Sequence, residues 1–313
     1  MSTNQERRAE ARQRLREQME AQARREKQLK IAAASTVAIL LLGLVGVVVW
    51  NKQQEARAEQ HAADWLTCEY PEAPNETPEK ITGAQAEELI ASGQADQEQI
   101  DDYNKDVDEA LAAKDKEKIV AAPEGEQPRR GTAEVVLSLD SGDVPITLDR
   151  SKAPCNVSSM VNLIESGYLD DNTCHRLAVA KGDEGLSVLQ CGDPTGTGAF
   201  GPGYTVVDEP PADLPVSQDG SGMSVYPRGT VAIANTGQPD SGGGQFFLVY
   251  KDSTLPPNYA VVGNIAEEGL TVIEALAENV PDNSDKQPQD QKPRRPIAIE
   301  KATVLSQDGL PES

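Results

Sequence analysis

Few side chains in this 313-residue sequence suit covalent or metal chemistry. There are two histidines, His61 and His175, too few for a histidine-rich zinc site and a poor basis for a Ser–His–Asp arrangement. Cys68, Cys155, Cys174 and Cys191 include no C-x-x-C pair, which argues against a redox dithiol or a zinc site. Four cysteines, all beyond residue 50, suit disulfides, and they allow three connectivities. No metal or cofactor is expected. Of three phenylalanines, Phe200, Phe246 and Phe247, two are adjacent and need an explanation. A net charge of -22 argues against nucleic acid as a partner, since a phosphate backbone would be repelled.

The elements that must position any such chemistry are unevenly distributed. Residues 1–30 carry nine basic and five acidic side chains and read as a solvated, charged helix. Residues 31–50 carry no charge, and twenty residues at about 1.5 Å each span roughly 30 Å, the thickness of a bilayer core. With the basic flank first, the positive-inside rule places 1–30 in the cytoplasm and the rest outside. The expectation is a single-pass membrane helix through which the chain contacts the lipid bilayer. Residues 51–130 hold 20 acidic and nine basic side chains, with Pro71, Pro74 and Pro78 spaced as in an extended linker. Sparse apolar residues at 84–120 suggest a helical insert that Gly93 divides.

From about residue 131 the pattern changes. Period-two alternation at 132–140, the run 144–149 after its turn, short strand-like runs at 188–190, 229–234, 245–250 and 260–265, and a final run at 297–305 predict strands. Helical spacing predicts helices at 153–168 and 266–279. Many short strands with two helices predict a mainly β domain, a closed antiparallel barrel, over 131–308, with 309–313 as a tail.

Within that domain lie Cys174-His175-Arg176, the run from Gln190 to Gly198 (QCGDPTGTG) and Gly201-Pro202-Gly203-Tyr204. RGTVAIAN (228–235), GQFFLVY (244–250) and LPPNYAVVG (255–263) follow. In this order they resemble the cyclophilin-type peptidyl-prolyl cis-trans isomerases. With the uncharged run and acidic linker, the chain is similar to membrane-anchored bacterial cyclophilins. The resemblance implies an eight-stranded closed barrel with two capping helices, and an enzyme that accelerates X–Pro isomerisation in proteins outside the cytoplasm. It implies Arg176 and Gln190 as catalytic. It implies Asn235, Gln245, Phe247, Leu255, Tyr259 and Val188 as substrate-binding. Adjacent strand residues face opposite ways, so Phe246 is expected in the core and Phe247 in the pocket. In the family alignment Cys174 and Cys191 face each other on neighbouring strands, which leaves Cys68 to pair with Cys155.

Departures from the family pattern are Ser187-Val188 in place of a Phe-Met pair, Thr236 after the asparagine, Thr254 before Leu255, and an insertion at about 180–185. Ser187 is expected to cost the pocket an aromatic wall. The alternative function is a catalytically weak module that binds proline-containing segments of an extracytoplasmic partner.

Overall fold

A computed structural model describes residues 4–180, 185–218, 220–278, 292–293 and 295–311, without the side chains of 4–11, 31–43 and 45. The chain divides into two compact units, Met1–Ala62 and Ala63–Ser313. The first is carried by α1 (Asn4–Asp64), rich in Ala, Arg, Glu and Leu and free of proline. The uncharged stretch 31–50 lies within α1. Most of the residues on which the membrane expectation rests are outside the described side chains. Among the described residues no helix is long and apolar enough to cross a membrane.

The second unit begins earlier than the sequence boundary at 131. β1 (Trp65–Thr67) pairs antiparallel with β2 (Glu126–Pro128), Leu66 opposite Gln127. Between them come α2 (Ala84–Ala91) and α3 (Gln97–Ala113), separated by Gly93 at φ 70°. Asp96 and Gln99 form a reciprocal capping box at the start of α3, which satisfies two orphan backbone donors. One face of α3 buries Ile100, Val107 and Ala110. The helical insert expected at 84–120, divided at Gly93, is thus present, and the linker read around it is part of a folded strap over 65–128.

The barrel strands follow. β3 (Thr132–Leu139) and β4 (Gly142–Asp149) form a hairpin in which every second residue is buried. α4 (Pro154–Glu165) has proline at its start and no side-chain cap of its own. Glu209 substitutes, its carboxylate accepting from the backbone N–H groups of Cys155 (3.1 Å) and Asn156 (2.9 Å) at the positive end of the helix. Then come β5 (Asn172–Cys174), β6 (Arg176–Ala178), β7 (Val188–Cys191), β8 (Ser224–Tyr226), β9 (Thr230–Ile233), β10 (Phe246–Val249), β11 (Ser253–Leu255), β12 (Val261–Ile265), α5 (Glu267–Glu278) and β13 (Ile297–Asp308).

Nine strands pair in the order β5-β13-β3-β4-β12-β9-β10-β7-β6. The eight-strand expectation is corrected by one, for a simple reason. The two end strands, β5 and β6, are consecutive in the chain with only His175 between them. One interrupted strand thus supplies both edges of the sheet, and the barrel closes through its own backbone at that residue. The Cys174–Cys191 disulfide crosses this seam from β5 to β7. Cys68–Cys155 ties the strap to α4. Both pairings are those that the family resemblance implied.

The apolar residues form two layers. The interior cluster takes Leu137, Ile146, Leu148, Leu189, Val231, Phe246 and Leu248 from the strands, Met160 from α4 and Ile273 from α5. A second cluster on the outer face takes Val188, Ala232, Phe247, Val249 and Val261. β9 and β10 are therefore buried on both faces, which is why their sequences run apolar without alternating. The three-residue strands β1, β2, β5, β6, β8 and β11 were not predicted, because three residues are too few to establish a period.

Candidate active site

The outer cluster forms the floor of a cleft of about 110 Å³ lined by Arg176, Leu186, Val188, Gln190, Ala234, Asn235, Phe247, Leu255 and Tyr259. Strand register explains how residues so far apart meet. Arg176 lies opposite Gln190, Gln190 opposite Phe247, Phe247 opposite Ala232, and Ala232 opposite Val261. These five residues form one row across five strands, and a row in register shares a face. A guanidinium, an amide and a phenyl ring therefore stand side by side on the outside of the barrel.

The polar end of the row is organised by donor and acceptor arithmetic. Arginine has only donors, so Arg176 Nη1 donates to Gln190 Oε1 at 3.1 Å and fixes which way that amide faces. Gln190 Nε2 then donates to Gln245 Oε1 (3.0 Å), and Gln245 Nε2 donates to the Gly198 carbonyl (2.8 Å). The relay has one direction, Arg176 to Gln190 to Gln245 to Gly198. Gln245 therefore stands behind the cleft and holds Gln190, rather than lining the cleft itself.

The loop that receives this relay is built around one carboxylate. Asp193 is fully buried and accepts from Thr195 N (2.9 Å), Gly198 N (2.7 Å) and Ala199 N (3.0 Å), with hydroxyl bonds from Thr195 and Thr197. Gly198 adopts φ +81°, and a Cβ there would meet His175 Cδ2 at 2.9 Å. Its glycine is thus demanded by both backbone and space. The His175 ring is held mostly out of water. Burial pulls its pKa down from 6.5 to about 4, with Arg176 and Lys292 lowering it further and Asp193 opposing. His175 is neutral near pH 7 and does not serve as a proton shuttle there.

The apolar end of the row is an aromatic cluster. Phe247 and Tyr259 meet edge to face at 5.4 Å, and Tyr226 packs 6.3 Å from each. Tyr226 is fully buried. Its hydroxyl donates to the carbonyls of Pro256 (3.1 Å) and Tyr259 (3.2 Å) and accepts from Tyr259 N (3.2 Å). It thereby pins the loop that presents Tyr259. Asn235 spans the loops, donating to Asn258 O (3.0 Å) and accepting from Gly237 N (3.0 Å). The Asn235 side chain is thus engaged at both ends.

Of the residues chosen from sequence, Arg176, Gln190, Asn235, Phe247, Leu255, Tyr259 and Val188 meet in the cleft. Phe246 is turned into the interior, opposite to Phe247. The expectation for Ser187 is corrected. It is buried on the other face, where its N–H donates to Ser253 Oγ (3.0 Å) and its Oγ accepts from Ala180 N. Leu186 and Val188 form that wall. Leu186 was missed, although a period of two carried back from Val188 would have found it; Tyr226 lies 21 residues from Phe247 and no spacing signalled it. Residues 181–184 of the expected insertion lie outside the described residues. Thr254 sits opposite Val225 in a two-stranded ladder, outside the cleft lining. Among the described residues no group of three His, Cys, Asp or Glu could hold a metal ion.

A sequence model of the family described as cyclophilin type peptidyl-prolyl cis-trans isomerase/CLD matches residues 134–304. The chain is 42% identical over 149 residues to the probable peptidyl-prolyl cis-trans isomerase B of Mycobacterium tuberculosis, covering 46% of this chain and 47% of that protein. It is 40% identical over 148 residues to the probable isomerase B of Mycobacterium leprae, covering 47% and 49%. The chain thus matches about half the length of these curated relatives. A crystal structure of a cyclophilin type peptidyl-prolyl cis-trans isomerase from Cryptosporidium parvum covers 56% of this chain and 98% of its own, at 24% identity and a TM-score of 0.43.

Proposed function

The chain belongs to the cyclophilin type peptidyl-prolyl cis-trans isomerases, and from that premise we propose that it accelerates X–Pro isomerisation with Arg176 as the catalytic residue. The barrier to rotation is amide resonance, about 18–20 kcal/mol, and no bond breaks. In the twisted state the prolyl nitrogen regains its lone pair and becomes a hydrogen-bond acceptor. A guanidinium placed to donate to it stabilises that state more than either planar isomer. The observation that carries the reading is the row itself, with Arg176 held by Gln190 beside the aromatic floor of Phe247. Leu255, Tyr259 and Val188 complete a wall of the size and apolarity of a proline ring. Asn235 meets the backbone of the residue before proline.

The test is a protease-coupled isomerisation assay on the full-length chain. Arg176→Ala is expected to lower kcat/KM about a hundredfold, the scale of losing one preorganised donor, with an unchanged melting temperature. Unchanged activity in a folded variant would falsify the assignment. Wild-type binding of a prolyl peptide without acceleration would favour the alternative, a binding module.

The same reading extends to location. The clients are proline-containing segments of proteins outside the cytoplasm, reached from a membrane tether at 31–50. Support comes from the uncharged run behind a basic flank, and from Leu44, Val47, Val48, Val49 and Trp50, each 52–63% exposed in α1. Five large apolar side chains facing water are unfavourable, whereas a bilayer would cover them. Alkaline extraction should leave the protein in the membrane fraction, and protease added to intact cells should remove residues beyond 63. Release by alkali, or full protection, would refute the tether or its orientation.

A further inference from the structure

The strap lies outside the stretch that the family model matches, yet it holds the loop on which the catalytic relay ends. The Asn75 side chain bonds both polar atoms of one backbone residue. Its Oδ1 accepts from Gly201 N (2.8 Å) and its Nδ2 donates to Gly201 O (2.9 Å). Nδ2 also reaches Glu117 Oε1, which fixes the amide from the other arm of the strap. On either side the pairing continues through backbone bonds, Ala73 N to Gly203 O (2.9 Å), Thr205 N to Pro71 O (2.9 Å) and Val120 N to Pro202 O (3.0 Å). Residues 71–75 and 117–120 thus grip 201–205 from two sides. Ile119 packs so closely that a Cβ on Gly203 would meet its Cγ2 at 2.9 Å.

Three residues before Gly201 lies Gly198, whose carbonyl receives Gln245 Nε2. Asp193 holds the near side of that carbonyl, accepting from Gly198 N, Ala199 N and Phe200 N, and its bonds end there. Beyond that point the strap supplies the anchor. We propose that Asn75 is a positioning residue for the isomerase reaction: by clamping Gly201 it sets the Gly198 carbonyl, and through Gln245 and Gln190 it sets the Arg176 guanidinium. The inference rests on the proposed isomerase function. It goes further, because it assigns part of the catalytic geometry to a segment that the family match does not include.

The clamp connects to the polar wall of the cleft, through Gly198 and Gln245, and not to the aromatic one. Loss of Asn75 should therefore lower kcat and leave prolyl-peptide affinity in place, whereas general loosening would weaken both. Asn104 provides a matched control. It makes the same paired bonds to a backbone residue, Ile81 N and Ile81 O at 2.8 Å each, away from the catalytic loop.

The experiment compares wild type, Asn75→Ala and Asn104→Ala as full-length protein in detergent. It measures protease-coupled isomerisation, prolyl-peptide binding, and the side-chain amide resonances of Gln245 and Gln190. Expected for Asn75→Ala is about a fivefold fall in kcat, the factor matching one hydrogen bond's net contribution, with peptide affinity unchanged and both amide resonances shifted. Asn104→Ala should leave all three at wild-type values. Equal effects of the two variants, or unmoved glutamine resonances in Asn75→Ala, would overturn the clamp. An inactive wild type would overturn the isomerase reading instead, and the resonances would still decide whether Asn75 sets the relay.

Discussion

The barrel and the strap are parts of one compact unit, yet they are held together by different means. The barrel strands satisfy one another. Each backbone ladder finds its partner in a neighbouring strand, and an apolar layer lies against both faces of β9 and β10. The strap has one three-residue ladder of its own and otherwise attaches through a few isolated backbone bonds at 71–73 and 120 and through single side chains reaching for barrel backbone. Lys118 Nζ donates to Gly167 O, Tyr168 O and Asp170 O in the turn just beyond α4. Asn75 takes Gly201, and Cys68 takes Cys155. A segment too polar to build a core can still be ordered when a finished fold offers it backbone groups and a cysteine.

The two disulfides test this contrast most strongly. Cys68–Cys155 spans 87 positions and Cys174–Cys191 spans 17. By loop-closure entropy the first is worth about 4.5 kcal/mol and the second about 3 kcal/mol. Replacing both cysteines of each pair by alanine should lower the urea midpoint in that order. Limited proteolysis should then cut the strap first in the Cys68/Cys155 variant. The reverse order would mean that the seam, not the strap, depends more on covalent closure.

The barrel has its own weak point at the seam. The half-buried His175 has its pKa pulled down to about 4, against 6.5 when unfolded. Between these values the unfolded chain binds more protons, so stability falls as pH drops from 6.5 towards 4, by about 3 kcal/mol in all. Above pH 6.5 both states are neutral at this residue and the contribution is flat. Urea midpoints measured across pH 4–7 should show the decline, and His175→Asn should flatten it. An identical slope in the variant would place the titrating groups elsewhere.

Lys118→Met retains the stem and removes the donor to three carbonyls. It should cost about 2 kcal/mol and speed proteolysis within the strap more than within the barrel. Equal acceleration in both would show that strap and barrel open together. The smallest effect is expected at Tyr226→Phe, which retains the ring contacts with Phe247 and Tyr259 and removes the hydroxyl anchor of the Tyr259 loop. About 1 kcal/mol of stability should be lost, with weaker prolyl-peptide binding as Tyr259 gains freedom. Unchanged affinity would assign the presentation of Tyr259 to Asn235 instead.

The barrel was legible wherever a pattern repeats. Alternation marked β3 and β4, the apolar run 245–250 marked β10, and helical spacing marked α4. The parity of adjacent strand residues was enough to separate Phe246 from Phe247. The same parity, applied to Ser187, would have turned it away from the cleft, since Val188 and Gln190 face in. The strap was read as linker because its composition is that of solvated chain. Its helical insert and the Cys68–Cys155 pairing were expected, but its attachments at Asn75 and Lys118 leave no periodic trace.

What this sequence determines by itself is local: which residues alternate, which helices cap, and which order of motifs marks the family. These follow from backbone geometry acting over a few neighbours, so a short window contains them. Tertiary structure alone decided the rest. It made β5 and β6 the two edges of one barrel, and it gave the relay from Arg176 its direction through Gln190 and Gln245 to Gly198. It also brought Asn75 against a loop 126 positions away. Each of these depends on a hydrogen bond between residues distant in the chain, and such a bond exists only after the ladders between them have closed.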